Sequence, residues 1–282
     1  MDFLSLMAAP IAACLLLVLI HAYLGVHILA RGVIFVDLAL AQIAALGAAV
    51  AILCGYELGS PAALGASLAA TFCGAALFAL TRSQRTDLPQ EAIIGIVYVV
   101  AAAASILALD RSPHGAEHLK TVLVGQILWV SWTDVAIAGA VYLAVAAAHW
   151  VFRDRFCRLS GVGVSDTARS MRRARWWDFL FYASFGLVIS ISVPMAGGLL
   201  VFSFLIVPAV CAVLFSGNLS QRLIIAWATG FVVSVLGCTL SYQFDTPTGA
   251  TIVCAFGVVL ALLALVRRMT VHPTSRRTET HQ

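Results

Sequence analysis

The chain has 282 residues, of which 62% are apolar and only 11% charged, with a net charge of +4. Soluble domains carry roughly 25% charged residues, so an ordinary water-soluble globule is excluded. The basic surplus is gathered in particular loops, which points to membrane sidedness and away from a nucleic-acid surface.

Apolar runs occupy 4–20, 38–56, 61–81, 92–109, 135–148, 179–216, 223–244 and 246–266. About 20 such residues suffice to cross a bilayer. The first run exceeds the ~7–15-residue apolar core of a signal peptide, follows Asp2 in place of a basic start, and precedes many more runs. It is read as a first span with an uncleaved end. The stretch 121–152 is too long for one upright span. Its first part, 121–131, is read as a short extra-membrane or re-entrant helix leading into a crossing that starts near Asp134. Residues 179–216 hold 38 positions without Asp, Glu, Lys, Arg or His, interrupted near the middle by Pro194 and Gly197-Gly198. That run is long enough for two crossings joined by a tight turn.

Fifteen of the 17 basic residues fall in segments that alternate with the segment holding only Arg111 and Lys120. They are Arg31, Arg82, Arg85, seven arginines between 153 and 175, Arg222, and Arg267, Arg268, Arg276 and Arg277. Nine crossings with the N-terminus outside and the C-terminus in the cytoplasm satisfy this distribution. The expected fold is an all-α polytopic membrane bundle of eight or nine transmembrane helices. Residues 1–268 form a single transmembrane domain and 269–282 a polar cytoplasmic tail. Seven scattered cysteines without a C-x-x-C pair are expected to act as small buried hydrophobes. Small residues at helical spacing, including Ala44, Gly47 and Gly74, suit close helix contacts.

Ionisable or strongly polar groups at membrane depth are functional candidates by default. The second run carries Asp37 and Gln42, which lie about 140° apart on a helix and so do not share a face. Asp37 has two readings: a boundary pairing with Arg31 or His27, or a place on a substrate route. Gln42 is either an interhelical hydrogen bond or part of that route. His21, His27 and His149 are read as hydrogen-bonded packing residues. His114 and His118, with Glu117 beside them, have an H-x-x-x-H spacing that would chelate a transition metal in a helix; a solvated loop is the other reading. A nucleotide-binding P-loop needs Gly-Lys-Ser/Thr, and the single lysine, Lys120, follows Leu119. The chain is therefore expected to hydrolyse no ATP itself.

Five blocks, in order along nearly the whole chain, resemble the permease subunits of the manganese/zinc/iron-type ABC importers. The first is Arg31-Gly32-Val33-Ile34-Phe35 continuing to Ala39-Leu40-Ala41-Gln42 and Gly47. The second is Glu91-Ala92-Ile93-Ile94-Gly95-Ile96-Val97-Tyr98, and the third is Leu123-Val124-Gly125-Gln126-Ile127-Leu128. The fourth is Gly197-Gly198-Leu199-Leu200-Val201-Phe202 with Ile206-Val207-Pro208-Ala209. The fifth is Ser241-Tyr242 with Asp245-Thr246-Pro247-Thr248-Gly249-Ala250.

The resemblance implies a fold like the vitamin-B12-type importer permeases and passage of a divalent metal ion, zinc ahead of manganese and iron. It implies cytoplasmic ATP-binding cassette subunits, an extracytoplasmic metal-binding protein, a homodimer in the lipid of a bacterial inner membrane, and no cofactor. Asp37, Gln42, His114 and His118 are the candidate pathway or entry residues. Asp166, Ala168 and Arg169 are the candidate ATPase contacts. Two departures stand out. Where many members carry Asp and His four apart in the second span, this chain has Leu38 and Gln42, and Gln is a far poorer ligand than imidazole. In the cytoplasmic stretch, Asp166-Thr167-Ala168 keeps only part of the family's Asp-Ala-Gly pattern and runs on into Arg172-Arg173-Ala174-Arg175. The reading from another class is a secondary transporter coupled to protons through Asp37 and the histidines. The scarcity of buried acids argues against it, because proton relays need acid or His chains.

Overall fold

The computed structural model describes residues 3–57, 60–82, 88–110, 125–160 and 171–271. Its helices are α1 (Phe3–Arg31), α2 (Val36–Leu53), α3 (Pro61–Thr81), α4 (Gln90–Leu109), α5 (Trp132–Val151), α6 (Arg153–Leu159), α7 (Met171–Ala196), α8 (Gly198–Phe215), α9 (Leu219–Phe244) and α10 (Thr248–Val271), with a 3-10 turn at Ile127–Trp129. Among the described residues, nine helices are long and apolar enough to cross a membrane, all but the short α6. The molecule is an all-α integral membrane bundle, as its composition requires: in lipid every backbone polar group must be paired within the chain, and helices do this locally.

Helix starts follow local chemistry. Ser60 accepts the Ala63 N–H at 3.2 Å, with Pro61 opening α3. At α5, Ser131 and Asp134 form a reciprocal capping box. Inside the spans, hydroxyls return to the preceding turn, as Ser105 does to the Ala101 carbonyl and Ser234 to that of Gly230.

Helix order in space follows from side-chain neighbours. Gly47 of α2 faces Ala66 and Ala70 of α3, while Ile43 and Leu40 face Gly74, so α2 and α3 run antiparallel. Thr71 meets Ser190, and Phe78 meets Tyr182, so α3 and α7 are antiparallel too. Tyr142 bonds Ser192 and His149 bonds Ser184, which sets α5 antiparallel to α7. Phe3 meets Tyr242 and Val18 meets Gly230, which sets α1 against α9. These directions agree with helices that alternate across a bilayer. Two packed groups result: α2, α3, α4 and α7 form one, and α1, α8, α9 and α10 the other, with α5 lying between α1 and α7.

Between α7 and α8 the chain breaks at one residue, Gly197, with φ of 80°. That conformation is open to glycine without a steric penalty. The 125–129 segment docks on this break: the Gln126 N–H donates to the Met195 carbonyl at 3.2 Å, and Ile127 is buried. A Cβ on Gly125 would strike the Ala196–Gly197 peptide, so this approach needs glycine. Of the helix expected over 121–131, the described part, 125–131, is instead an irregular stretch with a single 3-10 turn packed against the α7–α8 break, and 121–124 lie outside the described residues.

Close packing makes a direct prediction at Gly47. A Cβ there would lie 2.5 Å from the Ala66 carbonyl oxygen and 2.7 Å from the Ala70 Cβ. Gly47→Leu is expected to destabilise the bundle by about 1–3 kcal/mol or more through overpacking. Gly65→Leu, where a Cβ meets nothing within 4 Å, serves as the control. Thermal unfolding in detergent checks this; equal midpoints for the two variants would show that the α2–α3 contact is slack.

The cysteines divide in a way the sequence did not foretell. Cys14, Cys211 and Cys238 are buried, but Cys54, Cys73 and Cys254 are exposed on the outer surface. In lipid an outward thiol is as well solvated as an inward one, so apolar context does not fix its side.

Candidate functional site

The second helix lies at the centre of its group, packed against both α3 and α4. Asp37 sits in its first turn with 1% exposure, and neither carboxylate oxygen has a hydrogen-bond partner among the described residues. Gln42 is 8% exposed and Leu38 is half-buried one turn before it. Glu91, at the start of α4, accepts the Phe35 N–H at 2.9 Å and so caps α2 from a neighbouring helix.

The expected pairing of Asp37 with Arg31 or His27 does not occur. Gly32, at φ of 68°, turns the chain between α1 and α2, and Arg31 stays with α7. The Arg31 Nη1 donates to Asp178 Oδ1 at 2.9 Å, and its Nε donates to the Ser160 hydroxyl at 3.0 Å. Its guanidinium carbon stands 3.8 Å from the Phe181 ring centroid. Arg82, at the end of α3, donates to the same Asp178 Oδ1 and, through Nη2, to the Leu159 carbonyl at 3.0 Å. The Gln90 amide ties α4 in by donating to the Phe78 carbonyl at 3.0 Å and to the Tyr182 hydroxyl at 3.3 Å. The result is a buried polar knot at the Arg31 end of the bundle, joining α1, α3, α4, α6 and α7.

The histidines behave as packing residues. His21 Nδ1 is 2.8 Å from the Leu17 carbonyl oxygen. His27 Nδ1 lies 3.0 Å from the Ser160 hydroxyl. His149 contacts the Tyr23 hydroxyl at 3.2 Å and the Ser184 hydroxyl at 2.8 Å, and its ring stacks on Phe156. The structure does not bring them together with Asp37 or Gln42 into a ligand set: among the described residues there is no cluster of three or more His, Cys, Asp or Glu able to hold a metal ion. His114, His118, Asp166, Ala168 and Arg169 lie outside the described residues.

Sequence reasoning passed over Asp178, Arg82 and Ser160. A signal for Asp178 was present: it is the lone acid of α7 and stands immediately before the 38-residue charge-free run. A single acid at the mouth of such a run needs a cation, and that cation has to come from another helix.

The described residues thus form a helical membrane bundle with a central α2 bearing an orphan carboxylate, a glycine break between α7 and α8, and a short 3-10 segment docked on that break. The model of the ABC 3 transport family matches residues 4–268, and the chain belongs to that family. A probable metal transport system membrane protein of Chlamydia muridarum is 26% identical over 179 residues, 64% of this chain and 61% of that protein. The chain thus spans about three fifths of that relative's length. The manganese transport system membrane protein MntB of Synechocystis is 28% identical over 75% of this chain and 66% of its own. The chelated iron transport system membrane protein YfeD of Yersinia pestis is 27% identical over 75% of this chain and 71% of its own. Among solved structures, PsaBC from Streptococcus pneumoniae in complex with Fab aligns with a TM-score of 0.70 at 20% identity, over 93% of this chain and 91% of that one. An inward-facing conformation of a putative metal-chelate type ABC transporter aligns at 0.65 and 17% identity, over 93% and 88%. At these identities the structural likeness speaks for the fold.

Proposed function

We propose that this chain is the membrane-spanning permease of an ATP-driven importer of divalent transition-metal ions in a bacterial inner membrane. The family match across nearly the whole chain carries this reading. The names of the relatives carry manganese and iron, and on that ground those ions are preferred over zinc. The complex would hold two copies of this chain, two cytoplasmic ATP-binding cassette subunits and an extracytoplasmic metal-binding protein, with Asp166, Ala168 and Arg169 against the ATPase. Asp37 and Gln42 on α2 would border the ion route, and His114 and His118 would stand at its entry. The cargo is substrate, and no resident cofactor is required.

Uptake of radiolabelled manganese, iron and zinc into proteoliposomes holding the complete complex tests the proposal. Uptake that requires ATP and the binding protein is expected. Uptake driven by a pH gradient without ATP would replace this reading with the proton-coupled one.

Orientation follows from the basic residues, with 153–177 cytoplasmic and 110–120 outside. In a variant stripped of the seven native cysteines, Gly115→Cys should react with a membrane-impermeant thiol reagent in intact cells. Reaction only after access to the cytoplasmic face would reverse the topology.

A further inference from the structure

The Asp178 carboxylate has a property that simple structural ion pairs lack: one oxygen, Oδ1, receives two arginines from different helix groups. Arg31 comes from α1, in the group with α8, α9 and α10. Arg82 comes from α3, in the group that also contains α7 and therefore Asp178 itself. The Arg31 side chain is 0% exposed and that of Arg82 is 26% exposed. The knot thus holds two cations for one carboxylate, and each arginine weakens the other's claim on the shared oxygen. Both are also held by the end of α6: Ser160 accepts from Arg31, and the Leu159 carbonyl accepts from Arg82. A shift of α6 therefore moves both arginines relative to Asp178.

We infer that Asp178 is the shared acceptor of a two-arginine exchange through which α6 controls separation of the two helix groups. In this structure Arg31 bridges the groups across Asp178. When the groups part at this end, Arg31 leaves with α1 into entering water, and Arg82, which travels with α7, keeps Asp178 paired. Without Arg82, parting would leave Asp178, whose side chain is 6% exposed in the closed arrangement, with no cation from its own helix group. Arg31 is the clasp, and Arg82 lowers the cost of opening it. Such a device is bistable because each state satisfies the carboxylate. The inference rests on the importer reading for its link to ATP, but its geometry does not depend on the cargo.

Each single arginine replacement leaves a one-to-one pair, so both variants should fold, and they should act in opposite directions. Arg82→Gln should hold the clasp shut: uptake and ATP hydrolysis by the reconstituted complex fall together, by about fivefold or more if the exchange has the usual strength of an allosteric coupling. Arg82→Lys keeps a cation for Asp178 and should restore most of the uptake. Arg31→Gln should loosen the clasp, so that hydrolysis persists while uptake per ATP falls. A second readout needs no transport: with the other six cysteines replaced, the native Cys157, half-buried on α6, should react faster with a water-soluble maleimide in Arg31→Gln and slower in Arg82→Gln. If the two arginine variants shift labelling and coupling in the same direction, or leave both at wild-type values, the exchange is refuted. Absence of ATP-dependent uptake in the wild-type complex would refute the importer reading alone, leaving the labelling pair to decide the exchange.

Discussion

Asp178→Asn is expected to cost about 3–5 kcal/mol of stability, because it leaves buried cations without their carboxylate. Folded proteins have only about 5–15 kcal/mol in hand, so this single amide should place the bundle near the edge of unfolding. Arg31 drives the effect: its side chain is 0% exposed, packed on the Phe181 ring and bonded to Ser160. Arg82, 26% exposed, already meets solvent and has a second acceptor in the Leu159 carbonyl. Asp178→Asn should therefore lower the thermal midpoint in detergent far more than Arg82→Gln, which should stay within about 1 kcal/mol of the wild type. The paired replacement Asp178→Leu with Arg31→Met should recover most of the loss, since apolar residues can substitute for a buried ion pair. An unchanged midpoint in Asp178→Asn would mean that water already reaches Arg31, and the knot would lose its standing as a structural element.

The helices were legible because lipid leaves the chain few choices. Runs of about 20 apolar residues must be helical, and the break at Gly197 was marked by the Gly197-Gly198 pair. Boundaries were less legible. The first apolar run stops at His21 in the sequence, whereas α1 continues to Arg31. A helix backbone is indifferent to two histidines whose rings find the Leu17 carbonyl and the Ser160 hydroxyl.

The site was legible only where chemistry is local. Asp37 stood out as a buried acid, and it is one. Its partner was misjudged because nearness along the chain suggested Arg31, six residues before it. Arg31 instead meets an acid 147 residues away. Lone charges on separate spans carry no sequence mark of which will pair, since that depends on helix tilt and on the turn that each glycine imposes. The Gln90 and Ser160 contacts were hidden for the same reason: in a bundle the polar partners are set by tertiary neighbours, and short uncharged side chains give no periodic signal.

Gln42, with Leu38, offers the sharpest test of how an ion would pass α2. The two residues are four apart and so share one helix face. Here one is a weak oxygen donor and the other donates nothing, so a cation passing this point would be steadied without being trapped. Flux requires sites weak enough to leave as well as strong enough to enter. Gln42→Ala should reduce uptake modestly when normalised to folded protein. Leu38→Asp combined with Gln42→His should raise the metal affinity of the isolated permease at least tenfold, about 1.4 kcal/mol. The same pair should slow transport, because the ion would then dwell in the membrane. Leu38 is only half-buried, so its replacement by Asp is tolerable in a way that a charge at Ala39 or Leu40, both fully buried, is not. Calorimetric titration with manganese and zinc, together with uptake rates, checks both halves. If Gln42→Ala keeps full specific uptake but loses thermal stability, Gln42 is a tie between helices and the route runs elsewhere. If the double variant binds no metal, the α2 face at 38 and 42 is closed to ions, and Asp37, whose carboxylate has no partner on the described chain, becomes the better place to look.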